Sequence, residues 1–65
     1  MKAFYNKNKL VVVSNGNEYP FSLAVEVTKK MAVQVMTKMD ANGLDMYCYE
    51  NGAVDYSQWK SVTLK

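Results

Sequence analysis

The longest pattern in the chain is a helical rhythm of apolar residues between positions 22 and 43. Apolar side chains recur there at intervals of three and four, which gives a helix one buried side. They are Leu23, Ala24, Val27, Met31, Val35 and Met39. Ser22 can cap the first turn, and the Asn42-Gly43 pair tolerates the left-handed backbone that ends a helix. The pattern therefore predicts one long helix over residues 22–43.

A tight turn organises the segments before this helix. Residues 2–6 and 10–13 are rich in strand-forming residues, and the Asn15-Gly16 pair then favours a type I′ turn, because both residues accept a positive φ. A two-residue loop sets the register of the hairpin and places four apolar side chains on one sheet face. They are Leu10, Val12, Tyr19 and Phe21. We assign that face to the helix, and the missing N–H of Pro20 predicts a sheet edge.

The segment after the helix predicts a second hairpin. Residues 44–50 have the pattern of a strand, and the Asn51-Gly52 pair is a second candidate for a type I′ turn. Residues 59–64 close the chain as a last strand. Residues 53–58 are compatible with either a strand or a loop.

The register of this second hairpin sorts its side chains between the two sheet faces. With a regular turn, Tyr49 faces Val54 and Tyr47 faces Tyr56, so the phenol rings share the outer face. The alternate side chains point to the core, and they are Leu44, Met46 and Cys48. The outer face therefore carries a row of aromatic rings.

These elements predict an α+β fold. The expected order is β-β-β-α-β-β, with one long helix packed on one face of a small antiparallel sheet, in a single domain over residues 1–65. A run of about 20 apolar residues, as a membrane helix needs, is absent, and the first ten residues lack the apolar core of a signal peptide. We therefore expect a cytoplasmic protein with no membrane partner.

The residue inventory argues against an enzyme. The chain has no histidine, which excludes a Ser-His-Asp or Cys-His arrangement, and its single cysteine cannot form an internal disulfide. We interpret Cys48 as a buried core residue. The six acidic residues are scattered along the chain without metal-binding spacing. We expect no catalytic residue, no metal site and no cofactor.

The outer aromatic face is the predicted binding surface. Tyrosine and tryptophan are enriched at the centres of protein interfaces, and methionine adapts to partners. The predicted partner-binding residues are Tyr47, Tyr49, Tyr56, Trp59 and Met36, the last at the partly exposed margin of the helix. Our first hypothesis is a small protein that binds a larger protein through this face or through a strand edge. By analogy, proteins of this size often act as modulators or inhibitors, including some that phages encode.

Two alternatives stay open. The net charge is +2, from eight lysines against six acidic residues and no arginine. Exposed tyrosines with lysines nearby can bind nucleic acid, and the candidate lysines are Lys7, Lys9, Lys29 and Lys30. A homodimeric structural module is the other alternative, because a domain this small has a marginal core.

Overall fold

The computed structural model describes residues 1–52 and 55–64. They form a four-stranded antiparallel sheet with one helix packed on one face. The strands are β1 (Lys2–Asn6), β2 (Lys9–Ser14), β3 (Asn17–Ser22) and β4 (Lys60–Thr63), and the helix α1 spans Lys29–Asn42. The α+β class is confirmed, whereas the order along the chain is β-β-β-α-β, with one strand fewer after the helix than the sequence predicts.

The first hairpin forms as predicted. Asn15 and Gly16 have φ angles of 53° and 79°, which a type I′ turn requires. The register pairs Val12 with Tyr19 and Leu10 with Phe21. Because the sheet order is β3-β2-β1-β4, the strand that carries proline lies at an edge, as the sequence predicts.

The helix begins at Lys29 and not at Ser22, so the predicted start is wrong. Thr28 is the N-cap, and its Oγ1 accepts a hydrogen bond of 3.2 Å from the N–H of Met31. Ser22 is the last residue of β3. Residues 23–27 instead bond to the turn between β1 and β2. The Leu23 N–H donates to the Asn8 carbonyl at 2.9 Å, and the Val27 N–H donates to the Lys7 carbonyl at 2.8 Å.

The buried side of α1 differs from the predicted stripe. Ala32, Met36 and Met39 are its buried residues, and Met36 is 0 % exposed, so the prediction of a partly exposed Met36 is wrong. Met31 and Val35 lie half-buried at the margin. The reason is that residues 23–28 lie outside the helix, so their apolar side chains do not set the orientation of its buried side. The C-terminal prediction holds, since Gly43 has a φ of 85° and donates to the Met39 carbonyl.

The predicted strand over residues 44–50 does not form. A short 3₁₀ turn, Leu44–Met46, follows the helix, and one isolated bridge joins Glu50 to Glu18 of β3. In that antiparallel register the next residue to pair would be Pro20, which has no N–H to donate. A longer ladder along this edge would lack the hydrogen bond that Pro20 cannot donate, which disfavours its extension.

Two predicted core residues of this segment are on the surface. Met46 is 75 % exposed and Cys48 is also exposed, so their predicted burial is wrong. Asn51 and Gly52 have no strand on either side among the described residues. The predicted pairing of Tyr49 with Val54 lies outside the described residues.

The last strand completes the sheet on the side away from β3. β4 pairs with β1, and Val62 lies opposite Ala3. Val62 and Leu64 both pack against the core, which confirms that they share one face. The helix-covered face thus holds the core, and its buried residues are Ala3, Tyr5, Leu10, Val12, Tyr19, Val27, Ala32, Met36 and Met39.

Candidate functional site

The structure divides the predicted aromatic surface between the two faces of the sheet. Tyr47 and Tyr49 lie on the helix-covered side, because their ring partners are Phe21 and Tyr19, respectively, and both partners belong to the core-facing set. The predicted placement of Tyr47 and Tyr49 on the outer face is therefore wrong. Tyr56 and Trp59 lie on the outer side of the sheet. The four rings do not form one platform.

The two tyrosines on the helix-covered side support the core. The ring of Tyr47 meets the ring of Phe21 edge-on at 6.2 Å between centroids, and it packs against the core cluster. Tyr49 contacts Tyr19 in the same way at 5.8 Å and remains 54 % exposed. Such pairs add to the stability of the fold. Tyr49 is thus the more accessible of the two.

Tyr56 is held on the outer face by stacking and by a hydrogen bond. Its ring stacks on Phe4 with 4.2 Å between centroids and 11° between planes, and Trp59 meets it edge-on at 5.3 Å. The Tyr56 hydroxyl donates to Glu18 Oε2 at 2.9 Å. Burial, together with the hydrogen bond to Glu18 and its charge, raises the pKa of Tyr56 from 10.0 to about 12. This ring is committed to contacts within the chain.

Glu18 ties the chain around the β3 edge. Its carbonyl accepts the Glu50 N–H at 2.9 Å, and its carboxylate Oε1 accepts the Gly52 N–H at 3.2 Å. Ser14 and Asn17 form the closing pair of the hairpin, and this identifies the other β3 residues whose backbone groups point away from β2. They are Pro20, which has no N–H, and Ser22. The β3 edge is therefore poorly suited to a further strand.

The β4 edge is open by the same geometry. The Leu64 N–H donates to the Met1 carbonyl at 2.9 Å. Because hydrogen bonding alternates along an antiparallel strand, every second residue of β4, counted back from Leu64, bonds to β1. The N–H and C=O groups of Ser61 and Thr63 point away from the sheet. Both residues are exposed, and no hydrogen bond within residues 1–52 and 55–64 uses these groups. We call these four backbone groups the open edge.

The open edge was not predicted from the sequence. The sequence predicts a strand over residues 59–64, but nothing in its composition shows which strand it pairs with. Pro20 marked one sheet edge correctly, because its chemistry is incompatible with a central strand. The position of β4 follows from its pairing with β1, more than 50 residues earlier in the chain.

Lysines gather at the end of the sheet that holds the turn between β1 and β2. Lys7 lies in that turn, Lys9 begins β2, and Lys60 lies opposite Tyr5 at the start of β4. The bond between Val27 and the Lys7 carbonyl brings the start of α1 to the same end. We call this surface the lysine end, and its members are Lys7, Lys9, Lys29, Lys30 and Lys60. Lys60 is the member that sequence reasoning missed.

A shallow cleft opens within the lysine end. Its volume is about 210 Å³, and it is lined by Tyr5, Asn6, Lys7, Glu26, Val27, Gln58 and Lys60. All five lysines of this end are exposed. The cleft is polar in character, and Glu26 is its one acidic lining residue among the described ones.

The described residues form no metal-binding cluster and no helix that could span a membrane. Within residues 1–52 and 55–64, no three His, Cys, Asp or Glu side chains lie close enough to hold a metal ion. The single described helix is too short and too polar to cross a bilayer.

Comparisons with protein-family models, with curated proteins and with solved structures found no match to this chain. The geometry of its own residues offers two candidate binding surfaces, the open edge and the lysine end.

Proposed function

We propose that this chain is a small interaction protein that binds a larger protein by adding β4 to an extended segment of the partner. The supporting observation is the asymmetry of the two sheet edges. Glu50 and Pro20 close the β3 edge, whereas the N–H and C=O groups of Ser61 and Thr63 have no partner among the described residues. Strand addition is an established mode of peptide recognition at such an edge.

The chemistry of the open edge defines the partner segment. An antiparallel strand placed beside β4 exchanges about four main-chain hydrogen bonds with Ser61 and Thr63. Val62 and Leu64 are half-buried on the helix-covered side, and they offer apolar contact to alternate side chains of the partner. A segment that alternates small apolar and polar residues suits this edge. Main-chain bonds carry much of the affinity in this mode of binding. We propose that the protein acts as a modulator or inhibitor by pairing with an extended segment of its target.

A proline substitution tests this proposal without breaking the sheet. Ser61→Pro removes an outward N–H and places the pyrrolidine ring at the open edge, while the bonds to β1 remain. We expect Ser61→Pro to reduce partner capture about tenfold or more, since each lost bond costs about 1 kcal/mol and the ring also obstructs the strand. The measurement is affinity capture with chemical cross-linking from cells that express the protein.

The matched control is Ser22→Pro, which places the same ring at an outward position of β3. A partner retained by the wild type and by Ser22→Pro, but lost by Ser61→Pro, supports strand addition at β4. Circular dichroism establishes that both variants fold. Equal capture by a folded Ser61→Pro variant contradicts the proposal.

A further inference from the structure

We infer that the lysine end binds the phosphate backbone of nucleic acid. This function is separate from strand addition, because it uses side chains at one end of the sheet and not the backbone of β4. Five of the seven lysines within residues 1–52 and 55–64 lie at this end. An electrostatic footprint on nucleic acid requires such gathering of charge on one surface.

The pairing of the strands places these lysines on both sides of the sheet end. Lys60 lies opposite the core-facing Tyr5, on the helix-covered side. Lys9 alternates with the buried Leu10 and so lies on the outer side. Lys7, in the turn, lines the cleft together with Lys60. A strand of phosphates that passes over this end therefore meets cations along its path.

The charge at the start of α1 adds to this surface. The first turn carries Lys29 and Lys30 and no acidic residue. The helix dipole disfavours cations at this position, so these lysines do not serve the stability of the helix. They reinforce the positive potential of the lysine end, and Glu26 reduces it only in part.

Nucleic acid fits this surface better than an anionic membrane does. A helix that lies on a bilayer needs a free apolar side, whereas Ala32, Met36 and Met39 of α1 are buried in the core. Met31, Val33 and Val35 are half-buried and pack against the same core. Val25 is the one large apolar side chain that is strongly exposed beside these lysines among the described residues. A single valine is too small an anchor for a lipid surface.

Salt-dependent binding to labelled oligonucleotides tests the inference. The probes are short mixed-sequence single-stranded RNA, single-stranded DNA and duplex DNA, followed by fluorescence polarisation between about 50 and 200 mM salt. If all five lysines contact phosphates, log K falls against log salt with a slope of about −3.5 for single strands and about −4.5 for the duplex. The intrinsic fluorescence of Trp59, the single tryptophan, provides a second signal, because Trp59 lies between the cleft residues Gln58 and Lys60 in the chain.

Two double variants with the same change in net charge separate a localised site from a general charge effect. Lys7→Gln with Lys60→Gln removes the two lysines of the cleft, and we expect the salt slope to decrease in magnitude by about 1.4 on single strands and about 1.8 on the duplex. Lys2→Gln with Lys38→Gln is the control, because Lys2 lies at the opposite end of β1 and Lys38 lies toward the end of α1. We expect the control to keep the wild-type slope.

Three results would overturn the inference. They are no binding to any probe at low salt, an equal loss of slope in both double variants, and binding to anionic phospholipid vesicles in place of oligonucleotides. None of them bears on capture of a protein partner by Ser61→Pro, so the two proposals fail independently.

Discussion

At the scale of single residues, Glu18 does the most to hold the region after the helix. It accepts hydrogen bonds through its carbonyl from Glu50 and through its carboxylate from Gly52 and Tyr56. In the sequence it is one of six acidic residues with no special spacing. Its role depends on residues more than 30 positions away, so no local pattern predicts it.

The contact between Tyr56 and Glu18 predicts an unusual titration. Because the pKa of Tyr56 is raised to about 12, its phenol should ionise in a late phase, well above its ordinary pKa of 10.0, in an absorbance titration of the folded protein. In the unfolded chain this phenol ionises near its ordinary pKa of 10.0. The unfolded state therefore loses its proton first, and the stability of the fold decreases as pH rises from 10 to about 12.

Two variants assign this late titration. Tyr56→Phe should remove the late phase and keep the stack on Phe4, with a loss of about 1 kcal/mol in the free energy of unfolding at neutral pH. Glu18→Gln removes the charge and should move the late phase to lower pH, although burial, the larger cause, remains. A late phase that persists in Tyr56→Phe would show that another tyrosine is the perturbed one.

At the scale of elements, the first hairpin is predictable from its own residues and the start of the helix is not. The Asn15-Gly16 pair specifies the turn through its backbone conformation alone. The register of the hairpin and the sheet face of each side chain therefore follow from residues close in the sequence. The helix start depends on hydrogen bonds from Leu23 and Val27 to the turn between β1 and β2. Those tertiary bonds override the helical rhythm of residues 22–28, which is why Ser22 is a plausible cap in sequence and a strand residue in the fold.

Capping variants test this boundary directly. Thr28→Ala should lower the free energy of unfolding by about 1 kcal/mol, because it removes the acceptor for the Met31 N–H. Thr28→Ser should retain most of that stability. The measurement is urea denaturation followed by circular dichroism.

The control for the helix start is Ser22→Ala, at the cap position that the sequence favours. Ser22 is an exposed edge residue of β3, so this change should alter the free energy of unfolding by less than about 0.5 kcal/mol. If Ser22→Ala is the more destabilising of the two alanine variants, the helix begins near residue 22 and the fold described here is wrong at that point.

At the scale of the whole molecule, the residues that the structure describes close one edge of the sheet and leave the other open. The helix covers one face, Tyr56 and Trp59 pack on the other, and Glu50 with Pro20 closes the β3 edge. Composition and periodicity predict the α+β class and the first hairpin. They do not predict the structure of the segment after the helix. Its alternation of apolar and polar residues is typical of a strand, but the adjacent β3 edge has no N–H at Pro20 to pair with it.

The candidate site was predictable only in outline. A strand edge was expected to be a binding surface, but the aromatic rings assigned to an outer platform are used in four intramolecular ring contacts. The sequence identifies four candidate lysines for binding nucleic acid, Lys7, Lys9, Lys29 and Lys30. Their location at the same end as Lys60 depends on the sheet order. Both surfaces are products of long-range pairing, which a single sequence does not display.

Amide hydrogen exchange in β4, measured residue by residue by NMR, tests the open edge most directly. The N–H groups of Val62 and Leu64 face β1, whereas those of Ser61 and Thr63 face outward. For the isolated protein at low concentration, we expect Ser61 and Thr63 to exchange about tenfold or more faster than Val62 and Leu64. Comparable protection of all four amides would mean that this edge is already covered, and it would contradict the proposed mode of binding.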